Sequence, residues 1–175
     1  MTGLEEIEQF MAAGTRPPMM DLFDIDLLEA EEGKVVFVAT PTSQTYNFMG
    51  IAHGGYAATL LDSACGIAAN SAAQVPINCV TLELKVAYHA PLTDRVGMVR
   101  AIGQVVSMGK RVAHTEARLI DMAGKLYASA TSTLLLVDRA ARTGKKIWKS
   151  LSRTALVKSK RRAGSRPACP SWCAR

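Results

Sequence analysis

The sequence has no apolar run long enough to cross a membrane: its longest candidate, Tyr56 to Ala69, is interrupted by Asp62 and falls short of the ~18 residues a spanning helix needs. Its first residues, MTGLEEIEQF, are acidic, so no secretory leader is expected there. Four cysteines (Cys65, Cys79, Cys169 and Cys173) form no CxxC pair, a scatter that suits the reduced thiols of a cytoplasmic protein. Metal chemistry has little to work with. His89 and His114 have no ligand partners at useful spacing, and Cys169 and Cys173 have three residues between them and no histidine nearby, so no metal site and no cofactor is expected. There is no GxSxG elbow and no GxxxxGK[ST] loop, which removes the serine-hydrolase and P-loop readings.

What is present is one domain's worth of core. The chain has 175 residues, 49% hydrophobic and 21% charged, enough apolar material to exclude a wholly disordered protein. The net charge of +6 is unevenly spread. Residues 138–175 carry 12 Lys/Arg against one Asp, whereas residues 1–137 carry 9 against 14 Asp/Glu. The folded body is acidic and the basicity belongs to a tail.

The pattern along the chain divides it into residues 1–19 (a helix and linker), a domain over 20–137, and the tail 138–175. Thr2 followed by Glu5 is a capping-box pattern; Leu4, Ile7, Phe10 and Met11 share one helical face, and Gly14 can close that helix. Phe23, Ile25 and Leu27 alternate with Asp24 and Asp26, which predicts a strand there, and EEGK at Glu31 to Lys34 predicts a hairpin turn before Val35 to Ala39. Gly54 to Ala73 is Ala- and Leu-rich, free of proline and nearly apolar on all sides; such a helix is expected to be buried. After Pro76, a period-two run (Val80, Leu82, Leu84, Val86, Tyr88) leads into three further strands at 96–106, 111–120 and 126–137, joined by turn-like segments. Short turns favour antiparallel neighbours. The order α, ββ, long α, ββββ therefore predicts an α+β fold in which an antiparallel sheet curls around one long helix. Beyond Val137 the periodicity stops, and 140–175 reads as a weakly ordered tail. Its run KSKRRAGSR (Lys158 to Arg166) raises nucleic-acid or membrane-surface contact as a minor reading, with a solvated tail the expected one.

Two features carry chemistry. A loop with Asn47 and His53-Gly54-Gly55 runs directly into the long helix. The first turn of a helix has unpaired N–H groups and a partial positive charge, so it can hold a developing oxyanion, and glycine lets a carbonyl approach without a Cβ in the way. A plain helix start with flexible glycines is the alternative. Asp62 sits in the middle of the apolar helix, where a carboxylate is either bonded to a structural partner or kept for function. His53 does not pair with it: nine helical residues turn the chain ~900°, placing Asp62 on roughly the opposite face. His53 is expected to brace the loop through its ring.

The stretch Asn47…His53-Gly54-Gly55…Asp62, with VTLELKVAYHAPL and VVSMGKRVAHTEARL after it, resembles the hotdog-fold acyl-CoA thioesterases. Within the 4-hydroxybenzoyl-CoA thioesterase superfamily the likeness is to the phenylacetate-degradation (PaaI-like) type, over about residues 20–137. It implies the hotdog fold, a dimer or tetramer of identical chains with active sites at the dimer interface, and hydrolysis of an acyl- or aryl-CoA ester without a metal. It also implies roles. The N–H of Gly54 would polarise the thioester carbonyl, Asp62 would act as general base or nucleophile, Asn47 would hold the carbonyl or the water, and Thr81 would assist that water. His53 and Gly55 belong to the substrate-binding loop. Lys110 and Arg111 are candidates for the coenzyme A phosphates, against the plainer reading of a solvated turn. An acyl-CoA hydratase and a non-catalytic acyl-CoA-binding regulator remain the alternatives. The tail is no part of the family pattern.

Overall fold

The computed structural model describes residues 1–14 and 16–139. The tail from residue 140 onward, including Cys169, Cys173 and the basic run at 158–166, lies outside the described residues.

Helix α1 (Gly3–Ala12) starts at the expected capping box: Thr2 Oγ1 accepts from Glu5 N–H at 3.2 Å, and the Glu5 carboxylate accepts from Thr2 N–H at 2.8 Å. Gly14 closes it in the left-handed region, at φ 62°. The strand expected at residues 23–27 is displaced. Pro18, with its φ already helical, opens a five-residue helix α2 (Pro18–Leu22). Phe23 follows it and packs edge-on against Tyr56, with ring centroids 5.8 Å apart. Strand β1 (Asp26–Glu31) begins only after Asp24, whose φ of 51° turns the chain; Arg16 bridges Asp24 and Asp26 across that turn. The predicted hairpin follows, with Gly33 at φ 74° leading into β2 (Lys34–Ala39).

The long helix α3 (Gly54–Ser71) separates this hairpin from β3 (Ile77–Tyr88), β4 (Val99–Met108), β5 (Val112–Asp121) and β6 (Leu126–Asp138). All six strands form one antiparallel sheet in the order β1-β2-β4-β5-β6-β3. Leu60, Leu61, Ala64, Cys65 and Ala68 of α3 are fully buried with Val99, Ala101 and Leu119 of the sheet. Small residues allow a close approach: a Cβ on Gly103 would lie 2.3 Å from the carbonyl oxygen of Ala64. Arg139 closes the domain by bonding the side chains of Glu6 and Asn78.

Two features differ from the period-two and all-apolar readings. A bulge between Thr81 and Glu83 splits β3, so Leu84 and Val86 pack on the core while Val80 and Leu82 stand out, 46% and 60% exposed. Moreover, among the described residues β3 has a neighbour on one side only. Helix α3 is buried along one side and half-exposed along a stripe through Ala58, Thr59, Asp62, Ser63 and Gly66. One sheet covers one side of a helix; a sequence apolar all round leaves its other side half-covered in a single chain.

Candidate active site

The loop before α3 is pinned from several directions. Asn47 N–H donates to Ile51 O at 2.8 Å and Gly50 N–H returns to Asn47 O at 3.1 Å, with Gly50 at φ 73°. The Tyr46 hydroxyl donates to the Asp94 carboxylate at 2.7 Å and accepts from Asp94 N–H at 2.9 Å. Asn47 Oδ1 accepts from Met49 N–H at 2.8 Å. Because only the oxygen can accept, the side-chain group left over at Asn47 is its NH2 donor.

His53 is the N-cap of α3. Its Nδ1 accepts from Gly55 N–H at 2.9 Å, so the ring proton sits on Nε2 and the ring braces the loop. Tyr56 N–H is taken by His53 O. Gly54 N–H has no acceptor among the described residues, and it stands where helical N–H groups and the helix dipole together favour negative charge. Gly54 opens on a pocket of about 430 Å³, lined by Asn47, Met49, Tyr88, His89, Leu119 and Tyr127 among others. The pocket is walled mainly by apolar side chains.

Asp62 and Thr81 meet elsewhere. On the half-exposed stripe of α3, Thr81 Oγ1 donates to Asp62 Oδ1 at 2.9 Å, which fixes one carboxylate oxygen and leaves the other without a partner among the described residues. Neither residue lines the pocket. Eight helical residues separate Gly54 from Asp62, ~12 Å along the axis, so one chain keeps these two groups apart. Lys110 and Arg111 precede β5 in the β4–β5 turn, where Arg111 O accepts from Leu136 N–H. Leu136 pairs with Cys79 near the start of β3, whereas Gly54 abuts Tyr88 at its end. In one chain these two cations therefore sit at the opposite end of the sheet from the pocket.

Other nucleophiles are held back. Burial pushes the Cys65 and Cys79 thiols up to about 11, and the Tyr56 hydroxyl up to about 12. Among the described residues no group of three or more His, Cys, Asp or Glu is placed to hold a metal ion. Sequence reasoning missed Tyr88, His89 and Tyr127. Tyr88 was visible only as one more apolar position of a strand, and His89 was weighed only as a metal ligand. His89 instead lines the pocket, with Nε2 2.9 Å from Ser129 Oγ. Tyr127 is buried with its hydroxyl on the Asp121 carboxylate, a fixed wall.

The Thioesterase superfamily matches residues 49–128. A solved protein described as from the thioesterase superfamily is 31% identical; the alignment covers 78% of this chain and 98% of that one, with a TM-score of 0.63. A point mutant of the phenylacetic acid degradation protein PaaI from Thermus thermophilus is 28% identical over 68% of this chain and 98% of its own, with a TM-score of 0.61. A Streptococcus mutans protein solved bound to acetyl CoA shares the fold at 24% identity, covering 65% of this chain and 88% of that one, with a TM-score of 0.59. Among curated proteins nothing matches. Motif, fold and relatives agree: the chain belongs to the thioesterase superfamily, as a PaaI-like hotdog thioesterase.

Proposed function

We propose that the chain hydrolyses acyl- or aryl-CoA thioesters to the free acid and coenzyme A, in a site shared by two identical chains. The observation that carries this reading is the unpaired Gly54 N–H opening on a largely apolar pocket. The thioester carbonyl would accept from Gly54 N–H and from the free NH2 of Asn47. A preformed donor at that position commonly supplies ~3 kcal/mol of transition-state stabilisation. Asp62 of the second chain, oriented by Thr81, would take the proton of the attacking water or attack the carbonyl itself. In either case water ends on the acyl carbon and the thiolate of coenzyme A leaves. The steps so written draw on no metal or other cofactor.

The free side of β3 supports a dimer. Its 12 residues expose Val80 and Leu82 beside an unpaired backbone edge, which invites pairing with another strand. A second copy adding antiparallel to β3 would reverse the strand direction. That reversal sets the Tyr88 end of one chain, with its Gly54, beside the Lys110 and Arg111 end of the other. Asp62 is bonded to Thr81 of that same strand. The acetyl-CoA complex of the S. mutans protein supports a CoA ester as the ligand class, and Lys110 and Arg111 would then meet its phosphates across the interface. Among the described residues no helix is long and apolar enough to cross a membrane.

The test is a panel of acetyl-, medium-chain acyl-, phenylacetyl- and hydroxybenzoyl-CoA esters, with the release of free thiol followed directly. Saturable turnover of at least one ester is expected. Binding of these esters without release of thiol would replace the enzyme by a non-catalytic acyl-CoA sensor.

A further inference from the structure

We propose that Tyr88 is the positioning residue of the oxyanion donor, an inference that rests on the thioesterase reading above. Its hydroxyl donates to the carbonyl oxygen of Gly54 at 2.9 Å. Its ring covers the same residue so closely that a Cβ on Gly54 would lie 3.0 Å from both Cζ and the hydroxyl oxygen. The carbonyl of Gly54 and the N–H of Gly55 belong to one peptide group, and that N–H donates to His53 Nδ1 at 2.9 Å. Tyrosine hydroxyl, peptide and imidazole therefore form a single chain of hydrogen bonds, Tyr88 to Gly54–Gly55 to His53. Side chains thus hold both ends of the peptide, in addition to the helical hydrogen bond that the first carbonyl of a helix accepts.

This matters because the first turn of a helix is where the backbone is least constrained. Its carbonyls have helical donors only from four residues on, and its N–H groups have none. Two consecutive glycines add conformational freedom at that position. An oxyanion donor is useful only if it is fixed before charge develops. The Tyr88 hydrogen bond fixes the peptide that follows the donor, and so the backbone of the residue whose N–H is the donor, from the end of β3, the same strand whose Thr81 bonds Asp62. One edge strand thus holds one group in each half of the proposed site. Hydrogen bonding to the Gly54 carbonyl also strengthens its peptide partner by polarisation, so His53 and Tyr88 support each other.

The role predicts a particular kinetic signature. Tyr88→Phe keeps the ring and removes the hydroxyl. Its kcat should fall about tenfold, the scale of one neutral hydrogen bond, with KM within about twofold and the same factor for every acyl group, because the carbonyl is common to all. Gly54→Ala should displace the Tyr88 ring and lose the hydrogen bond by itself, so adding Tyr88→Phe to it should cost nothing more. A Tyr88→Phe enzyme with unchanged kcat, with an effect confined to KM, or with a loss that multiplies on that of Gly54→Ala overturns the proposal. A readout independent of turnover separates this from the function itself. In protein labelled with 15N-glycine, a CoA thioether carrying a ketone in place of the thioester carbonyl should shift the Gly54 amide resonance, and the shift should be at least several-fold smaller in Tyr88→Phe. Equal shifts in the two proteins refute the positioning role even where hydrolysis is found. A wild type that hydrolyses no ester but shows the unequal shifts refutes the hydrolase reading and keeps Tyr88 as the residue that sets the carbonyl site.

Discussion

Complementation between two dead enzymes tests the shared site quantitatively. The premise is a distance: ~12 Å of helix axis separates Gly54 from Asp62 in one chain, and a carboxylate on a two-bond side chain does not close it. Asn47→Ala removes the donor that the loop leaves free at the pocket mouth, and Asp62→Ala removes the carboxylate bonded by Thr81. In the proposed two-fold symmetric dimer each site would take Asn47 from one chain and Asp62 from the other. A mixed dimer then has one intact site and one doubly damaged site. Random exchange of equal amounts makes half of the dimers mixed, so recovered activity should approach about one quarter of the wild-type rate. The assay is thiol release after mild denaturation and refolding of the mixture, with mixed dimers verified by native mass spectrometry on differently tagged chains. Verified mixed dimers as inactive as their parents would refute the pairing of Gly54 with a neighbour's Asp62.

Further outcomes follow from single positions. Asp62→Asn keeps the volume and the Thr81 contact while removing the base, and should lower kcat by at least ~10²-fold with a near-normal melting temperature; retention of most turnover would exclude Asp62 from the chemistry. Gly103→Ala drives a methyl group against the backbone of Ala64 and should cost about 1–3 kcal/mol in denaturant unfolding, a loss expected without any change at Gly54. Cys65 should make the fold sensitive to alkali. Its thiol titrates higher in the folded state, at about 11, than in the unfolded chain, so its contribution is complete below about pH 9. It should be lost as pH rises from 9 to 11, by roughly 3 kcal/mol. Unfolding curves of Cys65→Ala across that window should be flatter than those of the wild type by about that amount, and parallel curves would contradict the assignment.

Much of the fold was written in local pattern. Thr2 and Glu5 cap α1 because both hydrogen bonds lie within four residues, and the turn before Lys34 needs only a glycine at positive φ. The errors lie where local pattern competes with context. At 23–27 the alternation of Phe23, Ile25 and Leu27 is real, yet Phe23 packs against Tyr56 from the end of a short helix, and Ile25 is buried without being in a strand. In β3 one bulge at Thr81–Glu83 is enough to turn Val80 and Leu82 outward, since the side-chain period of a strand is two. For the candidate site, His53, Gly54 and Gly55 were legible because capping is local. Tyr88 was not, because its contact with Gly54 spans 34 residues and depends on where β3 ends.

On the shared-site reading, the separation of Asp62 from Gly54 has a physical reason. A helix has one N-terminus, and its free N–H groups attract the nearest acceptor. A carboxylate in the first turn of α3 would itself cap those groups and neutralise the donor that a thioester carbonyl needs. The first turn of α3 holds no acidic residue, and its cap is a neutral imidazole nitrogen that takes Gly55 N–H and leaves Gly54 N–H free. A base is still required within reach of the carbonyl carbon. Placing it two turns further along keeps it from quenching the donor of its own chain, with Thr81 holding it in orientation. Two-fold pairing along β3 then returns it to a carbonyl held by the other chain. Donor and base can each be fixed in advance because neither can reach the other before a dimer forms. Moving the carboxylate to the helix start, as in Gly55→Asp, should therefore abolish turnover even with Asp62 intact.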